Sequence, residues 1–427
     1  MNYTVKAGFR SGHVTIPASK SYAHRQLICA ALSDRNTEIF CDGFSKDILA
    51  TAACLKAMGA GIDILKDTIR VTPIKIDSSG FMADEGGRSA AVLPVGESGS
   101  TLRFLLPVVA ALGIPTTFEM AEGLARRPVD ELLKVMRAHG VTASTENCTV
   151  AISGRMTPGE FEIPGNVSSQ YISGLLLAMP LLKGDSHLVI TGNIESTAYI
   201  NITEDTLQAS GIRFTLKGQE YWVPGNQQYA SDEQVRVERD WSNAAFFMCM
   251  GALSKGGIIL EQMPLASRQG DKAILTILEQ MGADISIIDN NVTVRHKELR
   301  GVTVDAAAIP DLVPTIAALA TMCEGTTTIT NAHRLRLKES DRLKTTSDML
   351  KALGAEVTEL EDGLVIQGAK ALAGGTVDAC NDHRIAMAVA VAACGCRTDV
   401  VVLGAECVSK SYPDFWDHLN ELEVSNE

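Results

Sequence analysis

Short alternating stretches, polar breaks and almost wholly apolar segments follow one another along this chain in a fixed order. The first clear instance joins a strand read at His13–Ile16 to a helix read at Gln26–Leu32, across the polar break Pro17-Ala18-Ser19-Lys20-Ser21-Tyr22-Ala23-His24-Arg25. The same join returns between Ala91 and Ser100, Glu160 and Ser169, Gln234 and Ser242, Gly301 and Asp311, and Gly375 and Asp382, six occurrences in all. Every one of these helix starts carries Ser, Asp or Asn, residues whose side chains satisfy the orphan N–H groups of a first turn. A helix start is also a natural site for an anion.

After each apolar helix the pattern gives a second strand, an amphipathic helix closed by glycine, and a hairpin. In the first round these are Thr37–Phe40, Lys46–Met58 closed by Gly59, and Ile62–Leu65 paired with Thr68–Thr72. The closing glycines fall at 59, 140, 211, 282 and 354, at intervals of 81, 71, 71 and 72. Such a period marks an internally repeated unit, here βαβαββ. The outer helices show an apolar stripe, clearest in Ile274, Ile277, Leu278 and Met281 ahead of Gly282. The inner helices, such as Thr315–Cys323 and Ile385–Cys394, are apolar nearly all round and belong inside a core.

Three buried helices per domain are therefore expected, sheathed by sheets and outer helices. If they lie parallel, their starts emerge on one face, and two such faces meeting would make a cleft rich in helix N-termini. A last helix, Pro413–Leu422, lacks its hairpin, and the strand read at Tyr3–Ala7 could supply part of what is missing. The chain is expected to cross between domains near Thr15–Ser19 and near Gln234–Arg239. Residues 1–17 with 237–427 then form one domain and residues 18–236 the other, with the active site in the cleft between them.

At 427 residues the chain is long for one core, which agrees with two domains. A hydrophobic share of 46% and a charged share of 21% describe an ordinary globular protein. The net charge of -13 argues against nucleic acid or an acidic membrane as partner. An anionic ligand must then meet locally clustered basic residues, and these do cluster at the polar breaks: Lys20, Arg25, Arg103, Arg126, Arg127, Lys338, Arg342, Arg384 and Lys410. Arg suits bidentate phosphate or carboxylate contacts, and Lys serves as a point charge or proton donor.

Asp311 and Glu339 are the acid/base candidates. Asp311 reads equally well as a helix cap, and Glu339 as part of a surface ion-pair face with Lys338 and Arg342. Asp240 and Asp382 read as caps, and His383 as a proton carrier or a loop anchor. Ten cysteines without a C-x-x-C pair read as buried free thiols in a reducing compartment, with only a weak metal reading for Cys394 and Cys396. Met1–Arg10 lacks an apolar core, and the longest apolar runs, such as Ile172–Leu182, are too short for a bilayer, so a cytoplasmic protein with no membrane partner is expected. Gly96–Ser100 matches neither a nucleophile elbow nor a phosphate-binding P-loop, no dinucleotide fingerprint follows a strand, and the eight His residues show no close pairing. No metal, nicotinamide, covalent serine or other cofactor is expected.

Several motifs in order resemble one family. They are Ser19-Lys20-Ser21 with Arg25, Gly99 with Arg103, Arg127-Pro128, Ser168-Ser169-Gln170, Lys338-Glu339-Ser340-Asp341-Arg342-Leu343, Asn381-Asp382-His383-Arg384, and Lys410 before Pro413-Asp414-Phe415. The chain is similar to the enolpyruvyl transferases, in the branch that acts on shikimate 3-phosphate, from Val14 to Phe415. The resemblance implies an α/β fold, a two-domain inverse α/β barrel built from six βαβαββ repeats, three per domain. It implies transfer of the enolpyruvyl group of phosphoenolpyruvate to the 5-hydroxyl of shikimate 3-phosphate, a step of chorismate and aromatic amino acid biosynthesis, by a monomer.

Residue by residue, the resemblance implies phosphoenolpyruvate contacts at Lys20, Gly99, Arg127, Gln170, Arg342, Arg384 and Lys410. Shikimate 3-phosphate contacts are implied at Ser21, Arg25, Ser168, Ser169, Gln170, Ser196, Tyr199, Asp311 and Lys338. Asp311 would be the hydroxyl base and Glu339 would handle the methylene proton, with Lys20 and Lys410 assisting. Ala18, Glu97, Thr197-Ala198 and Arg334 depart from the family's usual Gly, Asn, Lys-Pro and Asn, which bears on fine substrate contacts and on inhibition by glyphosate, a known inhibitor of the family. The rivals are transfer to UDP-N-acetylglucosamine, an RNA 3′-phosphate cyclase, and a non-catalytic binder of an anionic metabolite. The first expects a Cys in the loop Glu119–Arg127, and this loop has none.

Overall fold

The computed structural model describes residues 1–75 and 91–425. Contacts divide the chain into two compact units, Lys20–Val237 and Met1–Ser19 with Glu238–Glu427. In the second of these, the segments at either end of the inserted unit run side by side. Ala18 bridges Arg239, Ser19 N–H donates to Glu238 O, and Asp240 N–H donates to Pro17 O.

Among the described residues, the Lys20–Val237 unit carries three four-stranded sheets. Their strand orders are Gln234–Arg236, Thr37–Phe40, Thr68–Thr72, Gly61–Ile64; then Ala91–Gly96, Thr116–Met120, Thr149–Ser153, Thr142–Glu146; then Glu160–Pro164, Ser186–Thr191, Glu220–Val223, Thr215–Lys217. In each sheet the first pair is parallel and the next two are antiparallel. The order follows from the connections, since a tight hairpin makes antiparallel neighbours and a helical crossover makes parallel ones. Three sheets of the other unit use the same pairings.

The termini complete two of those sheets. Asn2–Val5 pairs antiparallel with Val400–Leu403, filling the place that a hairpin strand takes elsewhere. The first strand after it is Phe9–Val14 rather than His13–Ile16, and it takes Glu423–Ser425 on its outer edge. That last strand is three residues long and gives no readable alternation.

Helices of the apolar type are buried almost throughout. In Val313–Ala320 and His383–Ala393 every residue is buried, and in Trp241–Leu253 only Ser242 is not. These three pack on one another. In the other unit, Gly99–Leu112 is buried except at Ser100 and Ser169–Ala178 except at Gln170. The helix read at Gln26–Leu32 runs from Lys20 to Ala31, because Tyr22, Ala23, His24 and Arg25 of the polar break are themselves buried and its first turn is therefore held as helix.

Ser98, Ser168, Asp240 and Asp382 cap their helices through the side chain, as their type implies. The Asp311 side chain does not. Eight of the ten cysteines are buried, but Cys148 is half-buried and Cys380 is exposed, on the turn before the His383 helix. The Cys394 and Cys396 thiols donate to Ala390 O and Ala392 O, and burial pushes them up to about 12 and about 11, which leaves them protonated rather than poised for a metal. Among the described residues no helix is long and apolar enough to cross a membrane.

All five closing glycines adopt positive φ: 95° at Gly59, 85° at Gly140, 76° at Gly211, 99° at Gly282 and 90° at Gly354. That is the left-handed turn that ends a helix cheaply only when no Cβ is present. At Gly282 an added Cβ would also strike Glu298 O. Gly282→Ala is therefore expected to cost about 2 kcal/mol and to lower the thermal unfolding midpoint by about 4–8 °C. Gly218, at φ 63° with open space around it, is the control. Equal losses in Gly218→Ala would show that the dihedral alone sets the cost.

Candidate active site

Each unit carries one cluster of the singled-out residues, and each is built on helix starts. In the Lys20–Val237 unit, Lys20 Nζ lies 3.1 Å from Asp47 Oδ2 on the neighbouring helix Lys46–Ala57. Arg25, one turn beyond Ser21, is buried in a cage of neutral acceptors. Its Nε donates to Thr203 Oγ1 (2.7 Å), its Nη1 to Ser21 O (2.7 Å), and its Nη2 to Ser173 Oγ (3.2 Å) and Tyr199 O (2.9 Å). The guanidinium plane sits 4.6 Å from the Phe104 ring. Burial pushes it down to about 10, still cationic at neutral pH.

Gly99 opens the next helix, whose cap Ser98 Oγ accepts from Thr101 N–H. A Cβ on Gly99 would lie 2.7 Å from Arg103 Nη1 and 3.0 Å from Arg127 Nη1, so the glycine is what lets two guanidiniums crowd a helix start. Arg103 Nη1 donates to Gln170 Oε1 at 2.9 Å and its Nη2 to Pro128 O at 2.9 Å, while Gln170 Nε2 donates to Ser100 Oγ at 2.8 Å. Ser168 Oγ accepts from Gln170 N–H. Two helix N-termini and two guanidiniums thus converge, an arrangement suited to a phosphate or carboxylate. Ser169 is buried in the first turn of the Gln170 helix. Ser196 stands at φ 56° ahead of the Thr197–Ala209 helix, and Tyr199 lies in its first turn.

In the other unit Arg342 is the hub. It is 1% exposed, and its guanidinium donates to Asp382 Oδ2 (2.9 Å), Asp382 Oδ1 (3.2 Å), Asp311 Oδ1 (3.0 Å) and Glu339 Oε2 (2.5 Å). Asp311 also takes Arg384 Nη2 at 3.0 Å and lies 3.7 Å from Lys338 Nζ. Lys410 Nζ lies 3.9 Å from Glu339 Oε1. Asp382 bonds Arg342 and caps its own helix through Arg384 N–H. His383 is buried beside it, with Nδ1 4.0 Å from Asp382 Oδ1.

The electrostatics follow from that packing. Burial alone would push the Asp311 carboxyl up, but Arg384, Lys338 and Arg342 together hold it well below the usual carboxylate range. Burial pushes Lys338 down to about 8, against the pull of Asp311. For Arg342 burial works downward, and Asp382, Glu339 and Asp311 outweigh it and raise the group. Asp311 and Glu339 are thus part of one half-buried ion cluster, neither a cap nor a surface pair.

Asp271 belongs to the same cluster and nothing in the sequence singled it out. It is buried, takes the Ser242 hydroxyl, and is pushed up to about 7 by burial and by the nearby Asp311 charge. Arg103, read as a motif partner of Gly99 but given no ligand contact, is as tightly built into the Gly99 helix start as Gln170.

A family model described as EPSP synthase (3-phosphoshikimate 1-carboxyvinyltransferase) matches residues 7–419. The chain is 41% identical over 415 residues to a 3-phosphoshikimate 1-carboxyvinyltransferase of Clostridium acetobutylicum, covering 96% of this chain and 95% of that one. A Clostridium beijerinckii protein of the same description is 39% identical over 426 residues, covering 99% and 97%. Among solved structures, an EPSP synthase from Acinetobacter baumannii matches with a TM-score of 0.81 at 26% identity and full coverage of both chains. The enolpyruvyl transferase NikO from Streptomyces tendae shares the fold at a TM-score of 0.78 and 18% identity, covering 99% and 97%. The mixed α/β fold is that of EPSP synthase structures, and the chain belongs to the EPSP synthase (3-phosphoshikimate 1-carboxyvinyltransferase) family.

Proposed function

We propose a division of labour between the two clusters for the reaction of a 3-phosphoshikimate 1-carboxyvinyltransferase. That reaction, the activity of this chain, moves the enolpyruvyl group of phosphoenolpyruvate to the 5-hydroxyl of shikimate 3-phosphate and releases phosphate, in aromatic amino acid biosynthesis. The observation that carries the assignment of roles is Asp311 and Glu339 held on one guanidinium, Arg342, with Lys338, Arg384 and Lys410 beside them.

Phosphoenolpyruvate is assigned to Lys20, Gly99, Arg127, Gln170, Arg342, Arg384 and Lys410. Shikimate 3-phosphate is assigned to Ser21, Arg25, Ser168, Ser169, Gln170, Ser196, Tyr199, Asp311 and Lys338. Asp311 takes the 5-hydroxyl proton as the hydroxyl oxygen bonds C2 of phosphoenolpyruvate, and a proton delivered from Glu339 turns the methylene into a methyl group. The tetrahedral species then returns a methyl proton, restores the double bond and expels phosphate, with Lys20 and Lys410 offsetting the charge.

The resting ion pairs give the base its timing. A carboxylate bound by two Arg is a weak base, and the phosphate and carboxylate of phosphoenolpyruvate compete for those same guanidiniums. Each contact that passes to the ligand raises the basicity of Asp311.

The reading includes two inverse α/β barrels of three βαβαββ units each, in domains 1–17 with 237–427 and 18–236. The repeated strand pairing and the glycine spacing support it. It also includes a cytoplasmic monomer that needs no cofactor and no metal.

Phosphate release from phosphoenolpyruvate is expected with shikimate 3-phosphate and not with UDP-N-acetylglucosamine; the reverse would move the chain to the sister activity. Asp311→Ala and Glu339→Gln are each expected to lower kcat about 10²–10⁴-fold with substrate binding largely kept. Turnover near wild type in either variant removes that residue from its role. As pH rises through about 8, Lys338 loses its charge and kcat/KM should fall; Lys338→Arg, which stays charged, should shift that limb upward.

A further inference from the structure

Beneath the Gly99 helix start lies a line of side chains that the reaction scheme leaves unused. His24 Nδ1 is 2.7 Å from Thr51 Oγ1, Thr51 Oγ1 is 2.7 Å from Thr101 Oγ1, and Thr101 Oγ1 is 2.6 Å from Ser98 Oγ. All four residues are buried, none more than 1% exposed. They come from three helices: Lys20–Ala31, Lys46–Ala57, and Gly99–Leu112 with its cap.

We propose that His24, through Thr51, Thr101 and Ser98, is a positioning residue for the anion site at the start of the Gly99 helix and thereby sets the affinity for phosphoenolpyruvate. The proposal rests on the assignment of that ligand to Lys20 and Gly99.

Proton accounting gives the line a direction. Three hydroxyls and one neutral imidazole hold enough protons for all three bonds, and the ring tautomer decides the first of them. Burial pushes His24 down to about 3, against Asp47 and together with Lys20 and Arg25, the charged groups around it, so the ring is neutral at working pH. Its Nε2 is buried without a hydrogen-bond partner, and it packs edge-on to Phe104. A buried orphan N–H is rarer than a buried orphan acceptor, so the proton belongs on Nδ1. The imidazole then donates to Thr51, and in our proposal the hydroxyls carry on in the same sense, Thr51 to Thr101 and Thr101 to Ser98. Ser98 Oγ is held twice by one residue, accepting from the Thr101 N–H and sharing a hydrogen bond with the Thr101 hydroxyl, which locks its rotamer as the helix cap.

That lock fixes two things a phosphate senses. One is the direction of the first-turn N–H groups at Gly99 and Ser100. The other is the spacing between that helix and the two that carry Lys20 and its partner Asp47, since Lys20–Ala31 and Lys46–Ala57 are the first two elements on the line. A small loosening would spread the cation from the helix start and weaken a ligand that uses both.

The test is steady-state phosphate release by the full chain with Thr51→Val, which cuts the line with little change of volume, and Thr51→Ser, which keeps the hydroxyl. Thr51→Val is expected to raise KM for phosphoenolpyruvate about three- to tenfold, with kcat and KM for shikimate 3-phosphate within about twofold, and Thr51→Ser to restore it. Thr101→Val, cutting the line one step further on, should give the same split and decides the matter if Thr51→Val does not fold. Combining the two Val changes should add little to either alone. A wild-type chain that turns over while the Val variants lose only thermal stability, or raise both KM values equally, overturns the relay. A wild-type chain that releases no phosphate fails the ligand assignment instead.

Discussion

Everything polar in this fold is governed by the need to bury helices that are apolar on every side. A helix such as Val313–Ala320, with all eight residues buried, has no face to offer to water. Each large aliphatic side chain so enclosed contributes about 1.5–3 kcal/mol, and a charge placed along such a helix would forfeit that gain. The ends are different, because a helix start must find partners for its first N–H groups. Ser, Asp and Gln accordingly stand there, and Ser100, Gln170 and Ser242 are the one position in each of their helices that escapes full burial. Chemistry collects at helix starts because the core leaves it nowhere else.

Two buried guanidiniums show two answers to one electrostatic problem. Arg342 is surrounded by Asp311, Glu339 and Asp382, and the opposite charges raise it above an ordinary Arg despite its burial. Arg25 is bonded to hydroxyls and carbonyls and lies over the Phe104 ring, and burial lowers it. An ion cluster of the first kind can exchange its internal partners for a ligand's oxygens at little net loss of contact. The bonds around Arg25 are to neutral groups, so its positive charge is left unneutralised by the partners that hold it.

The elements that sequence reasoning placed well are those whose cause is local. The five closing glycines are legible because a left-handed helix end selects against Cβ within a few residues, and the caps because the N–H groups that donate to them lie two or three residues downstream. The family's motifs marked the candidate residues as a set. Their surroundings were not legible, since the bonds of Arg25 span 178, 148 and 174 positions. Asp311 could be read as a cap because only the folded chain brings Arg342 and Arg384 to it. Asp271 escaped notice for the same reason. The helix start at Lys20 and the strand Glu423–Ser425 were misread or missed because a polar first turn and a three-residue strand carry too little periodicity.

The pairing of Asn2–Val5 with Val400–Leu403 has a meaning for how the molecule comes into being. The residues from Lys20 to Val237 form one uninterrupted unit and can close as soon as they leave the ribosome. The strands Asn2–Val5 and Phe9–Val14 wait for partners some hundreds of residues behind them, which at about 5–20 residues per second is tens of seconds. During that interval Phe9–Val14 lacks both its later neighbours, Ile258–Leu260 and Glu423–Ser425. Strands made before the inserted unit are thus settled only after it, and until then the open edge of Phe9–Val14 can pair with other chains, which is where a chaperone's shelter would matter.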